Sequence, residues 1–193
     1  AICGLSVKYE GVIGTAIVKV FDLTAGTVGL TEDFLKQSGQ QYLASITHPL
    51  SYAGYYPGAT PLDIKLLFTP EGRILGAQVV GAQSVDKTLD VIAAIMKTGG
   101  NVDDLAALEL AYAPPFSSAK SPVNIAGYVA GNMIRGDMPA VSWEQVLDQA
   151  DPDFLLLDVR TKRQFAVGAL QGALNIPMPD LRQRLHELPK EKE

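Results

Sequence analysis

The chain contains very little cysteine and histidine, and this scarcity excludes several kinds of site. Of its 193 residues, one is a cysteine (Cys3) and two are histidines (His48 and His186). A single cysteine cannot form an internal disulfide, and it cannot build a zinc site of the cysteine type. Because none of the three has a partner suggested by the sequence, we interpret them as structural or surface residues and predict no metal site.

Long apolar runs and an excess of positive charge are also absent. No apolar run approaches the roughly 18–20 residues that a membrane-spanning helix needs, and residues 1–6 lack the basic and apolar segments of a secretory signal. The formal net charge of -5 gives no general attraction to the phosphates of a nucleic acid. We therefore expect a cytoplasmic protein with no membrane partner and no nucleic-acid partner.

Charged residues are distributed unevenly, which indicates two domains. There are 21 among the first 139 positions and 16 among the last 54. The change coincides with Arg135-Gly136-Asp137-Met138-Pro139, a segment rich in residues that end helices and form turns. We predict one domain over residues 1–138 and a second over residues 139–193.

The first predicted domain has strands followed by helices. The predicted strands cover 15–22, 42–48 and a hairpin over 62–81 that turns at Pro70-Glu71-Gly72. The predicted helices cover 31–38, 85–98, a short stretch from 102, and 121–135, with Thr31, Ser84, Asn101 and Ser121 as their respective N-caps. This order favours an α+β fold, in which an antiparallel sheet has helices packed on one side.

The second predicted domain has a strand-and-helix pattern that is not continued. Residues 142–145 fit a capping box before a short helix, and the apolar run over 154–159 is typical of a strand buried on both faces of a parallel sheet. Leucines recur at helical spacing over 180–188. Since one such strand cannot complete a sheet, we interpret this region as an incomplete α/β segment.

Four of the seven tyrosines lie in two segments that proline stiffens. Tyr52, Tyr55 and Tyr56 precede Pro57-Gly58, and Tyr112 precedes Ala113-Pro114-Pro115-Phe116. A phenol can donate a hydrogen bond to a developing thiolate or oxyanion at neutral pH, because its own pKa is about 10. The alternative is that these tyrosines pack at an interface between subunits, and spacing alone favours that alternative.

Two glycines interrupt the last predicted helix of the first domain. Gly127 and Gly131 each cost that helix about 1 kcal/mol, so something is expected to approach them closely. A neighbouring helix, a partner subunit and a flat cofactor would each explain the glycines, and helix packing is the simplest of the three.

Several strings taken together resemble one enzyme family. They are GTAIVKVFDLTAGTVGLTE (14–32), YYPGA (55–59), GRILGAQVVG (72–81), VDKTLDVIAA (85–94) and LELAYAPPFSSAKSPVN (108–124). Over residues 8–135 the chain resembles the C-terminal dimerisation domain of flavin-dependent pyridine-nucleotide disulfide oxidoreductases, in the branch of coenzyme A-disulfide reductases, NADH oxidases and persulfide reductases.

The end of the chain is similar to the start of a rhodanese domain. LLLDVRTKRQF (155–165) and GALQGALNIP (168–177) carry this similarity. Gln164 stands where an acidic residue is usual, and Ala169 where a histidine is usual. The catalytic cysteine of a rhodanese would lie beyond Glu193, which argues against a sulfurtransferase.

The resemblance to the reductases implies a homodimeric enzyme that binds FAD and NAD(P)H in N-terminal domains. It implies that Tyr55 or Tyr56, together with Tyr112, reaches the partner's active site. There the phenols would stabilise the thiolate that forms when the substrate's sulfur–sulfur bond is cleaved. The substrate implied is CoA disulfide, CoA persulfide or polysulfide, and oxygen is a further acceptor in this branch. It also implies that the turn formed by Pro114, Pro115 and Phe116 lines the partner's flavin.

We expect this chain alone to bind no cofactor and to be inactive. A purely structural dimerisation module and a sulfurtransferase fragment are the alternatives.

Overall fold

The computed structural model describes residues 3–4, 8–9, 11–142, 145–146 and 154–190. The chain divides into two compact units, Ala1–Ala140 and Val141–Glu193, which we describe one at a time. In these ranges no helix combines the length and the apolar character that crossing a membrane requires.

A five-stranded antiparallel sheet forms the centre of the first unit. Its strands are β1 (Thr15–Val20), β2 (Leu23–Gly29), β3 (Leu43–Thr47), β4 (Leu62–Phe68) and β5 (Ile74–Gly81). Their order across the sheet is β1-β2-β5-β4-β3, with every neighbouring pair antiparallel. The predicted hairpin over 62–81 is confirmed as β4 and β5, and Gly72 in its turn has a φ of 91°, which favours glycine.

Strand β2 is an element that the sequence did not predict. Its sequence, LTAGTVG, has no regular alternation of large apolar and polar residues. The predicted strand over 15–22 ends at Val20, and the chain then turns back at Phe21 and Asp22 to form β2. Phe21 has a φ of 53°, a conformation that a bulky residue seldom adopts, so its identity gave no signal for a turn.

Three helices lie on one side of this sheet. Helices α2 (Val85–Lys97) and α4 (Pro122–Arg135) pack on the sheet, and α3 (Val102–Ala107) packs against α4. Their apolar residues share one core with alternate residues of β4, namely Leu62, Ile64, Leu66 and Phe68. This confirms the predicted α+β architecture.

Helix α1 (Glu32–Ser38) covers part of the opposite face of the sheet. Since successive strand residues point to opposite faces, Leu67 of β4 points away from the main core. Leu67 packs instead with Leu35 of α1 and Leu75 of β5 in a second, smaller cluster. Thr31 caps α1 as predicted, with its hydroxyl accepting a hydrogen bond from the backbone nitrogen of Phe34 at 3.3 Å.

One of the four predicted N-caps does not cap its helix with its side chain. Ser84 precedes α2 but has a φ of 60°, and its side chain makes no capping hydrogen bond. Instead, the hydroxyl of Thr88 donates to the carbonyl oxygen of Ser84 at 2.7 Å. Asn101 and Ser121 cap α3 and α4 as predicted, each within a capping box.

Between residues 154 and 190, the second unit contains a small parallel sheet and two short helices. Its elements are β6 (Leu157–Asp158), α5 (Lys162–Val167), β7 (Leu174–Asn175), α6 (Met178–Arg184) and a 3-10 turn (Leu185–Glu187). The strand predicted over 154–159 is therefore shorter than expected, and its two residues are half-buried because β7 is its one neighbour in the part of the chain described. The helical spacing over 180–188 is confirmed by α6 and the turn after it.

The predicted capping box at the start of the second unit is present. The backbone nitrogen of Ser142 donates to Oε1 of Gln145 at 2.7 Å, and the backbone nitrogen of Gln145 donates to the hydroxyl of Ser142 at 3.2 Å. Most of the helix predicted after Ser142 lies outside the described residues.

Candidate functional site

The connection between β3 and β4 is a loop closed at its base. The backbone nitrogen of Ser51 donates to the carbonyl oxygen of Thr60 at 2.8 Å, and the backbone nitrogen of Thr60 donates to the hydroxyl of Ser51 at 3.1 Å. Leu50 and Pro61 form a β-bridge next to this pair. We call residues 52–59, which project beyond this closure, the tyrosine loop.

Inside the tyrosine loop, Tyr52 contacts the turn that carries the other two tyrosines. Its hydroxyl donates to the carbonyl oxygen of Pro57 at 3.2 Å. Its ring meets the ring of Tyr56 edge-on, with centroids 5.9 Å apart and an interplanar angle of 74°. Gly58 has a φ of 89°, and a Cβ there would lie 2.8 Å from the Tyr52 hydroxyl, so the turn requires glycine at this position.

Tyr112 lies on the segment between α3 and α4, just before a turn that contains two prolines. The carbonyl oxygen of Ala113 accepts hydrogen bonds from the backbone nitrogens of Phe116 at 2.8 Å and Ser117 at 3.1 Å. The prolines fix their own φ angles and restrict the residues before them to extended conformations. This turn therefore gives Tyr112 a defined backbone on its C-terminal side.

The N-terminal side of the same segment is held by Asn124 of α4. This buried side chain donates through Nδ2 to the carbonyl oxygens of Leu105, Ala106 and Leu108, at 3.0, 3.3 and 3.0 Å. Its Oδ1 accepts hydrogen bonds from the backbone nitrogen and the hydroxyl of Ser121, at 2.9 and 2.8 Å. Asn124 thus sets the direction in which the chain leaves α3 toward Tyr112. This role of Asn124 was not predicted from the sequence, although the spacing of Ser121 and Asn124 fits a capping box.

The hydroxyls of Tyr55 and Tyr112 come together although the two residues are 57 positions apart in the sequence. Their oxygens lie 3.5 Å apart, a long hydrogen bond in which either can be the donor. Tyr55 is 77% exposed and Tyr112 is 48% exposed, so the pair lies on the surface. The hydrogen bond to Tyr112 raises the pKa of Tyr55 above its usual value, so Tyr55 keeps its proton at neutral pH.

Tyr56 points to a different neighbour. Its ring packs on Tyr52, and its backbone nitrogen donates to the carbonyl oxygen of Ala53 at 2.9 Å. Within the described ranges, Tyr55 is the tyrosine of the loop whose hydroxyl contacts Tyr112. The two candidate tyrosines of the loop thus have different neighbours, and Tyr55, the first choice of the sequence interpretation, is the one in contact with Tyr112.

The turn formed by Pro114, Pro115 and Phe116 presents apolar surface next to this pair of hydroxyls. Phe116 is 69% exposed. The cleft that it borders, together with Ser51 and Lys87, has a volume of about 10 Å³, which is room for about one water molecule. This side of the chain can contact one side of a flat ring system, and the cleft is too small to enclose one.

Gly127 and His48 have structural explanations. A Cβ at Gly127 would lie 2.5 Å from the backbone nitrogen of Ala106 and 2.7 Å from the carbonyl oxygen of Val102, so the close approach of α3 accounts for this glycine. His48 has a partner that the sequence did not reveal, because its Nδ1 lies 2.6 Å from a carboxylate oxygen of Asp63. Across the described ranges, the acidic, histidine and cysteine side chains form no group of three or more that could hold a metal ion.

Comparison with known proteins identifies relatives of the first unit. Residues 15–122, more than half of the chain, match the family model described as the dimerisation domain of pyridine nucleotide-disulphide oxidoreductases. A coenzyme A disulfide reductase of Staphylococcus epidermidis is 38% identical over 126 residues, which cover 65% of this chain and 28% of that protein. A coenzyme A disulfide reductase of Staphylococcus aureus is also 38% identical over 126 residues, with the same coverage.

Two solved structures are similar over almost the whole chain. Reduced CoADR-RHD of Bacillus anthracis has a TM-score of 0.93 and 45% identity, covering 97% of this chain and 34% of its own. The NAD-dependent persulfide reductase of A. fulgidus has a TM-score of 0.89 and 37% identity, covering 100% of this chain and 35% of its own. The chain thus spans about a third of the length of the relatives it matches.

Proposed function

Because the chain belongs to the pyridine nucleotide-disulphide oxidoreductase family and contains its dimerisation domain, we propose that it forms a homodimer and lends Tyr55 and Tyr112 to its partner's active site. The parent enzyme is a cytoplasmic disulfide reductase whose other domains bind FAD and NAD(P)H. One observation carries this proposal, namely the contact of two exposed phenol hydroxyls that come from separate segments.

The proposed reaction is a two-electron reduction of a sulfur–sulfur bond. NAD(P)H and a proton reduce CoA disulfide to two molecules of CoA thiol and leave NAD(P)⁺, and FAD supplies the electron transfer between the nucleotide and a redox cysteine. Relatives named as coenzyme A disulfide reductases, and a structural neighbour named as a persulfide reductase, support acceptors of this class. A CoA persulfide or a polysulfide is reduced by the same chemistry, and oxygen is the other acceptor that fits this branch.

The two phenols would act as hydrogen-bond donors to a thiolate. When the sulfur–sulfur bond breaks, one sulfur leaves with the electron pair and carries negative charge. A pair of hydroxyls that contact each other uses one of its two protons internally, so the second proton remains available for an external acceptor. A donor held in place before the charge develops stabilises that charge most effectively.

The Pro114–Phe116 turn supports a contact with the flavin. Phe116 is exposed and presents apolar surface that suits packing against a flat ring. We therefore assign Pro114, Pro115 and Phe116 to the border of a flavin site that the partner's domains form.

The second unit fits the start of a rhodanese-like domain over residues 139–193. Its support is the similarity to CoADR-RHD, which covers 97% of this chain and therefore includes most of this unit. The short parallel pair β6–β7 followed by α6 agrees with an α/β module that further strands would complete.

Substitution of Tyr112 by Phe in the full-length enzyme tests the proposal. The rate of CoA disulfide reduction should fall by about 10–1000-fold, as it does when one oxyanion donor is removed elsewhere, and Tyr55→Phe should show a loss of the same order. Tyr128→Phe is the matched control, because Tyr128 lies on α4 beneath the ammonium group of Lys120. If Tyr55→Phe and Tyr112→Phe both leave the rate unchanged while the enzyme still dimerises, the function of this domain is purely structural.

The oligomeric state is a second measurement. Sedimentation of the full-length enzyme at tens of micromolar should give a dimer. A strictly monomeric enzyme that retains full activity would exclude any contribution of these tyrosines across subunits.

A further inference from the structure

We propose that Tyr52 is a positioning residue, which holds the tyrosine loop so that Tyr55, and not Tyr56, faces Tyr112. The consequence for catalysis rests on the proposed function of Tyr55 and Tyr112. The structural coupling itself does not depend on that function, and it can be measured on this chain.

The contacts of Tyr52 span the part of the loop that carries both other tyrosines. Its hydroxyl donates to the carbonyl oxygen of Pro57, five positions along the chain. The closure between Ser51 and Thr60 fixes where the loop begins and ends, and the backbone nitrogen of Tyr56 donates to the carbonyl oxygen of Ala53 within it. Tyr52 is half-buried and ties Pro57, which follows this turn, to the start of the loop.

The ring of Tyr52 contacts Tyr56, the second of the two adjacent tyrosines. Tyr56 rests edge-on against this ring, with centroids 5.9 Å apart. The hydroxyl of Tyr55, the first of the two, meets that of Tyr112 at 3.5 Å. Tyr52 therefore determines which of two adjacent phenols joins the pair.

Because Gly58 makes the turn flexible, the path of the turn depends on the hydrogen bond from the Tyr52 hydroxyl. With a φ of 89°, Gly58 is free to adopt conformations that other residues avoid, so the turn has little stiffness of its own after Pro57. Nε2 of Gln83 also contacts this end of the turn, through a long hydrogen bond of 3.4 Å to the carbonyl oxygen of Gly58. Without the hydrogen bond to Pro57, we expect the turn to change its path and to carry Tyr55 away from Tyr112.

These contacts serve the loop and not the core. Tyr52 is absent from both buried clusters, the one between β4 and the helices and the one formed by Leu35, Leu67 and Leu75. Its substitution should therefore leave the sheet as it is.

The test uses the 193-residue chain labelled with ¹³C at the Cζ of tyrosine, in the wild type and in the variants Tyr52→Phe and Tyr52→Leu. In the wild type, the resonance of Tyr55, assigned with Tyr55→Phe, should titrate above the ordinary value of about 10 because of its hydrogen bond to Tyr112. In Tyr52→Phe this titration should shift toward about 10, and in Tyr52→Leu it should shift at least as far, because the ring contact with Tyr56 is lost as well. Tyr128→Phe, in which the tyrosine loop keeps its contacts, should titrate as the wild type does.

Two results would overturn the proposal. In the first, the chemical shift and pKa of Tyr55 remain those of the wild type in both Tyr52 variants. In the second, the amide resonances of β4 change together with those of the loop, which would show that Tyr52 stabilises the sheet and does not position a side chain.

Kinetics of the full-length enzyme test the functional consequence separately. Tyr52→Phe should lower kcat by up to about 100-fold, the cost of a misplacement of about 1 Å, and leave the KM for NAD(P)H unchanged. If Tyr112→Phe has no effect on the rate while Tyr52 still controls the titration of Tyr55, the proposed function fails and the positioning role stands.

Discussion

Replacement of Glu32 by Gln should destabilise the first unit at neutral pH and have little effect near pH 2. The Glu32 carboxylate accepts hydrogen bonds from Tyr42 at 2.9 Å and from Lys36 at 3.1 Å, and it forms an ion pair with Lys65 of β4. The hydrogen bond from Lys65 is the largest of the causes that lower the pKa of Glu32, from an ordinary 4.5 to about 2. This cluster attaches α1 to the sheet face that Leu35 covers.

The size of the effect follows from this pKa. One pKa unit corresponds to about 1.4 kcal/mol, so the shift of the Glu32 pKa from 4.5 to about 2 corresponds to at most about 3.5 kcal/mol of stability. Solvent screens part of this, since the side chain of Lys36 is 62% exposed while that of Glu32 is 23% exposed. We therefore expect Glu32→Gln to lower the free energy of unfolding by about 2 kcal/mol at pH 7.

The pH dependence has a defined sign. The pKa of Glu32 is lower in the folded chain than in the unfolded chain, so its contribution is complete above about pH 4.5 and is lost as the pH falls toward about 2. Because Gln does not titrate, the difference in stability between the wild type and the variant should shrink over the same range. The difference should be close to zero at pH 2.

Urea unfolding followed by the NMR intensities of β4 amides measures the stability of this unit without a contribution from the second one. Asp33→Asn is the matched control, because Asp33 is an exposed acid in the same first turn of α1, where the helix dipole contributes about 0.3–1 kcal/mol. A cost of Glu32→Gln that is equal at pH 7 and pH 2, or no greater than that of Asp33→Asn, would refute the assignment of the stability to the ion cluster.

Two further substitutions test the packing that supports Tyr112, each with a matched control and each read from thermal or urea unfolding. Gly127→Ala should cost about 2 kcal/mol, because the new Cβ would lie 2.5 Å from the backbone nitrogen of Ala106. At Gly131 the new Cβ would lie 3.0 Å from the flexible guanidinium of Arg135 and 3.6 Å from a carboxylate oxygen of Asp103, so Gly131→Ala should gain up to about 1 kcal/mol. Similar effects of the two would contradict the close approach of α3. Asn124→Asp should lower the free energy of unfolding by about 3 kcal/mol, because it removes the donor to three carbonyl oxygens and buries a carboxylate. Its control, Asn132→Asp, changes a partly exposed side chain and should be near neutral. A near-neutral Asn124→Asp would show that these hydrogen bonds do not hold the segment.

The helices and the central hairpin of the first unit could be predicted because their signals are local. Capping residues at Thr31, Asn101 and Ser121 determine where three helices begin, and the Pro-Glu-Gly turn determines where β4 gives way to β5. Such signals act within a few residues, so the sequence contains them in full. Ser84 shows where such prediction fails. A serine directly before a helix fits the sequence pattern of an N-cap, but the left-handed backbone of Ser84 leaves its side chain without a capping hydrogen bond.

Strand β2 could not be predicted, because its stability comes from its neighbours. With small residues such as Ala25 and Gly26, it forms a strand because β1 and β5 pair with it on both sides. Gly26 is needed there, since a Cβ would lie 2.8 Å from the side chain of Leu89 on α2. The seven residues of β2 contain no local pattern that reveals these contacts with other elements.

The contact between Tyr55 and Tyr112 could not be predicted from the sequence. The two proline-stiffened segments drew attention to the tyrosines, but Tyr55 and Tyr56 are adjacent and chemically identical. The choice between them depends on the ring of Tyr52 and on the path of a segment more than fifty residues away. Only the folded chain brings those two constraints together.

The closure between Ser51 and Thr60 uncouples the path of the tyrosine loop from the sheet that carries it. Because the backbone is joined at these two residues, the path of the eight positions between them can change without altering the register of β3 against β4. A substitution in the loop should therefore displace its phenols at little cost to the stability of the first unit. The effects of such substitutions on activity can then be read separately from their effects on folding.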